Sequence, residues 1–83
     1  MTNHQEIRDW AEARGGRPAC VKGTGGKDDP GMIRLEFPKA PNANDDNLQP
    51  ISWDDWFQAF DDNKLALLYQ DEQNSRFNKL VNR

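Results

Sequence analysis

The sequence has one cysteine, one histidine and no long apolar run. A single cysteine, Cys20, excludes an internal disulfide. A single histidine, His4, leaves no Cys/His pair for a zinc site. A Ser–His or Cys–His dyad would have to be built on that one ring near the start of the chain. No apolar stretch approaches the roughly 20 residues that a membrane-spanning helix needs. Met1 is followed by polar residues rather than by the apolar segment of a signal peptide. These absences predict a cytoplasmic protein with no membrane partner and no cofactor.

Aliphatic residues are also scarce. Ile, Leu, Val and Phe together number fifteen of 83, about 18%, below the usual globular share. Disorder usually couples such poverty to high net charge, whereas the formal charge here is only -3. Three Trp and one Tyr supply much of the missing apolar area. We therefore expect one small, marginally stable domain over residues 1–83. Its charge is uneven: residues 1–42 carry +1 and residues 43–83 carry -4. An acidic balance disfavours non-specific nucleic-acid binding, which draws on counterion release, but leaves room for a local basic face.

What the chain does have is an aromatic stripe. In Ser52–Phe60 the rings of Trp53, Trp56, Phe57 and Phe60 fall at i, i+3, i+4 and i+7, which stacks them on one face of a helix. Ser52 caps that helix, and Asp54 and Asp55 suit the positive end of its dipole. Asn63 is the expected left-handed end. A first helix is predicted over about residues 3–14, with Thr2 as cap and Gln5 completing a capping box. It would bury Ile7, Trp10 and Ala11 and stop at Gly15-Gly16 ahead of Pro18. Strands are predicted at 19–22 and at 32–37, where Ile33, Leu35 and Phe37 alternate with Arg34 and Glu36. The loop 23–31 between them makes an antiparallel hairpin. Residues 38–50 read as an exposed connection, and Leu65–Gln70 as a third strand, the best buried, with a helix as the alternative because Leu and Ala favour one. For the segment from Ser75 to Arg83, the spacing of Phe77, Leu80 and Val81 fits either a short helix or an edge strand. The predicted class is α+β: a small, mostly antiparallel sheet of three or four strands with two helices packed on one face.

Chemistry-bearing motifs are weak. The glycine loop Lys22–Lys27 lacks the spacing of a P-loop, and Asp28-Asp29 beyond it repels phosphate; it reads as a hairpin tip. Asn42–Asn47 lacks the central glycine and closing glutamate of a calcium loop. Cys20 has no neighbour that would activate it and reads as a small apolar residue. The four Asp-Asp pairs lie in loops or on helix surfaces, and neighbours in sequence do not face each other across a cleft. No catalytic set emerges, and we expect no enzyme. Arg8, Arg14, Arg17, Lys22, Lys27 and Arg34 make a basic cluster. Within it Arg14, Arg17, Lys22 and Lys27 form a candidate binding rim. Trp53 is the candidate aromatic anchor if part of the stripe is left uncovered.

The strings Glu6–Ala19, Val21–Thr24, Asp28–Pro38, Ile51–Phe57, Leu68–Asp71 and Ser75–Val81 resemble a family of short bacterial proteins of unknown function whose members are often labelled 1,4-α-glucan branching enzyme. The resemblance covers nearly the whole chain and implies a stand-alone bacterial domain. The labelled activity needs a barrel several times this length, and no position here matches its catalytic carboxylates. The reading that follows is a non-enzymatic interaction or accessory module whose partner is another macromolecule, a protein first. The alternatives are a nucleic-acid-associated protein using the basic rim and a small glucan-related carbohydrate-binding domain.

Overall fold

A computed structural model describes residues 1–23, 31–39, 47–72 and 75–83. Among these residues the order is α1 (His4–Ala13), β1 (Arg17–Val21), β2 (Ile33–Glu36), β3 (Leu48–Pro50), α2 (Trp53–Asp62), β4 (Leu65–Tyr69) and β5 (Asn78–Asn82). The class is α+β. The strands divide between two antiparallel sheets, one ordered β2-β1-β3 and the other β4-β5.

Both helices arise where their caps and stripes place them, with one shift. Asn3, not Thr2, caps α1, its side chain accepting from the Glu6 amide at 3.0 Å. Asn binds the third amide at least as well as Thr does, and Gln5 turns instead to Asp9 at 2.8 Å. Gly15 ends α1 at φ 73, a conformation that costs glycine little. A Cβ on Gly16 would meet the Phe37 ring at 2.7 Å, so the helix end seats directly against the residue after β2. Ser52 caps α2 by accepting from the Asp55 amide. The left-handed residue after α2 is Lys64, φ 52, rather than Asn63; Asn63 instead donates its side-chain amide to the Ala59 carbonyl at 2.9 Å.

The core joins one face of each element. Ile7, Trp10 and Ala11 of α1, Ile33 and Leu35 of β2, Trp56, Ala59 and Phe60 of α2, and Leu67 of β4 form one buried cluster. The aromatic stripe is graded: Trp56 and Phe60 have no exposed surface, while Trp53 and Phe57 are half-buried. The indole N–H of Trp56 donates to the Arg34 carbonyl at 2.9 Å, so the largest buried side chain also fixes β2 to α2. Of β4, Leu67 is buried while Leu68 and Tyr69 are exposed.

Two strands depend on pairing more than on their own sequence. β3 lies in the stretch read as a connection; it is three residues long and pairs with β1 through Ala19↔Pro50, Cys20↔Gln49 and Val21↔Leu48. β5 resolves the ambiguity of the terminal segment in favour of a strand, in register Leu65↔Asn82 to Tyr69↔Asn78 with β4.

Candidate functional site

The predicted basic rim is largely engaged within the fold. Arg14 lies over the Trp10 ring, 4.4 Å from its centroid. Its guanidinium donates to the carbonyls of Trp10 (3.1 Å), Ser75 (2.7 Å) and Glu72 (2.8 Å). It is a clasp that ties the end of α1 to the turn between β4 and β5, and Trp10 reinforces it by donating its indole N–H to the Gln70 carbonyl at 3.0 Å. Arg17 forms an ion pair with Glu36, the one buried charged residue in the described core. Lys22 is exposed. Lys27 lies outside the described residues, as do most of the glycine loop and the Asn42–Asp46 stretch.

Trp53 is half-buried, its ring stacked with Phe57 at 5.2 Å and edge-on to Trp56 at 5.6 Å. The Phe57 ring also stacks with His4, at 4.2 Å and 8°. His4 Nε2 lies 2.9 Å from Asp61, and Arg83 lies 3.2 Å from the same carboxylate. The hydrogen bond from His4 is the main cause that holds the Asp61 carboxyl below its ordinary value of 3.8. This cluster joins α1, α2 and the end of β5. Among the described residues no group of three His, Cys, Asp or Glu could hold a metal, and no helix is long and apolar enough to cross a membrane.

The notable feature is the state of the four sheet edges. In an antiparallel pair alternate residues exchange both backbone bonds with the partner, and the residues between them turn their N–H and C=O outward. Two edges are partly blocked. At β3 the outward residues are Leu48 and Pro50, and Pro50 has no N–H to offer. At β4 the outward residues are Leu65, Leu67 and Tyr69; Leu67 exchanges both bonds with Met1, at 2.7 and 2.8 Å, and the Leu65 carbonyl accepts from the Arg83 side chain at 2.6 Å.

The other two edges have no partner among the described residues. The Val21 amide donates to Met32, and the register then makes Arg34 the bonded residue and turns Ile33 and Leu35 outward. On β5, the Arg83 amide donates to Lys64 and the Gln70 amide to Phe77. Lys79 and Val81 therefore face β4, while Asn78, Leu80 and Asn82 turn outward. No backbone partner for these five residues exists among the described residues.

Both open edges border the same cleft, of about 700 Å³, within the usual span of ligand sites. Ile33 and Leu35 of β2, Asn78, Leu80 and Asn82 of β5, and Leu65 of β4 all line it. Leu65, Leu80, Ile33 and Leu35 all belong to or pack on the core, so the floor is apolar and the walls carry unpaired peptide groups. Arg34 and Lys79 also line the cleft, and no Asp or Glu among the described residues does. Of these residues the sequence reading singled out only Arg34, as part of the wider basic cluster. The alternation of 33–37 marks inward and outward side chains, but which strand ends a sheet is not a local property.

No family model, curated protein or solved structure matches this chain.

Proposed function

We propose that this protein is a non-enzymatic cytoplasmic interaction module that captures an extended polypeptide segment of another protein as an added β-strand. One observation carries the reading: the edges of β2 and β5, which have no backbone partner among the described residues, border one cleft that Ile33, Leu35, Leu65 and Leu80 line. Strand addition draws affinity from main-chain hydrogen bonds and specificity from alternate side-chain pockets. Five residues at roughly 3.4 Å each give β5 a length of about 17 Å, so the edge accommodates a strand of similar length. The resemblance to short stand-alone bacterial proteins agrees with a module of this kind. Arg14, bound to backbone carbonyls, and Arg17, ion-paired to Glu36, contribute little to a nucleic-acid rim.

The test is selection of linear peptides from a random library on the immobilised full chain, followed by titration of the best binder into isotopically labelled protein. The expected result is that amides of Ile33, Leu35, Leu80 and Asn82 shift most and exchange more slowly. Methylating alternate backbone nitrogens of the peptide should weaken binding by about tenfold or more. Failure to enrich any peptide, or shifts confined to the surface away from the cleft, would overturn the reading.

A further inference from the structure

The two cations on the cleft walls have a defined relation to any strand that enters. Arg34 alternates with Ile33 and Leu35, which are buried toward the core, so its side chain lies on the opposite face of β2. Lys79 alternates in the same way with Leu80, which packs on the core. Both are exposed, and neither has an ion-pair partner among the described residues.

A strand laid in the cleft turns alternate side chains down onto Leu35, Leu65 and Leu80. Its remaining side chains emerge on the face that carries Arg34 and Lys79. Directly opposed charges across a strand pair are attractive when unlike and destabilising when like. A second copy offering its β5 is a poor occupant, because Lys79 is the one charged residue of that strand and would enter beside these cations. Basic residues on an open edge are a recognised bar to self-pairing. The whole chain is acidic at -3, yet among the described residues the cleft lining holds two cations and no acid.

We infer that the cleft selects an extended segment of a partner protein in which apolar residues alternate with aspartate or glutamate. The inference rests on the strand-capture reading and adds the chemistry of the partner. Apolar residues fill the floor, and the intervening carboxylates sit between Arg34 and Lys79. The same arrangement rejects basic segments by like-charge contact.

Three synthetic peptides test it, each with valine at alternate positions and glutamate, threonine or lysine between. Binding to the full chain is measured at low salt and again at about 0.3 M salt, where exposed charge pairs are strongly screened. The glutamate peptide is expected to bind about tenfold or more tighter than the threonine peptide, with the lysine peptide weakest and the differences compressed at high salt. In the double variant Arg34→Glu, Lys79→Glu the order of the glutamate and lysine peptides should invert. Both positions are exposed, and near-ultraviolet circular dichroism checks that the variant retains its packing. Equal binding of all three peptides to the unaltered chain would overturn the acidic preference and leave strand capture standing. If none of the three bound at about millimolar concentration while library-selected peptides did, the alternating acidic pattern would fail alone. If selected peptides also failed, strand capture itself would fall.

Discussion

The edges of β3 and β4 differ from those of β2 and β5 in the fate of some outward peptide groups. Pro50 removes one of the two donors that β3 would present, and Met1 pairs with Leu67 in the middle of β4. Ile33, Leu35, Asn78, Leu80 and Asn82 receive no such cover among the described residues. An uncovered strand edge invites pairing with other chains. Two edges are interrupted by Pro50 or Met1, and two border one cleft without such an interruption. The latter pair is where apolar residues line the cleft and where Arg34 and Lys79 lie on the opposite strand faces.

The largest way to break the contrast is to remove the support of the open edge. Trp56 has no exposed surface and holds the Arg34 carbonyl. Trp56→Ala should cost roughly 3–5 kcal/mol, read by chemical denaturation, and should release β2. A proline scan of β5 separates the two sides of one strand. Lys79→Pro removes a bond directed at Leu68 and should destabilise by about 1–3 kcal/mol. Asn78→Pro removes an outward backbone donor and one exposed side-chain bond to the Arg76 carbonyl, and should leave stability within about 1 kcal/mol while weakening peptide capture. Equal destabilisation by the two prolines would contradict the assigned orientation.

Reopening a closed edge is the converse. Pro50→Thr restores a donor and a good strand former at β3. Its expected result is concentration-dependent association by light scattering, with thermal stability altered by a few degrees at most.

The smallest effect concerns the closed side, where Asp61 joins His4 to Arg83. The Asp61 carboxyl is held below its ordinary value when folded. Its contribution is therefore fully present above the unfolded value and is lost as pH falls through the lower folded one. Asp61→Asn should be less stable than the parent at neutral pH by no more than about 1 kcal/mol. The gap should close in acid, as followed by thermal melts across pH.

Much of this architecture is legible in the chain itself. Ser52, the acids after it and the aromatic spacing mark α2, and Ile33 and Leu35 mark the inner face of β2. The terminal segment is not, because Phe77, Leu80 and Val81 satisfy helical spacing; only the partner strand β4 decides. β3 escapes for the opposite reason, being three residues that end in a proline. Arg14 reads as a free cation because the carbonyls it binds at Glu72 and Ser75 lie about sixty residues further on. The cleft is a property of sheet order, and sheet order arises from tertiary packing rather than from any local pattern.

Native-state hydrogen exchange along β5 tests the central claim most directly. The account predicts alternation: slow exchange at Lys79 and Val81, whose amides bond to β4, and fast exchange at Leu80 and Asn82, whose amides face the cleft. Uniform protection across all four would mean that the edge is already covered, and would contradict the open-cleft account.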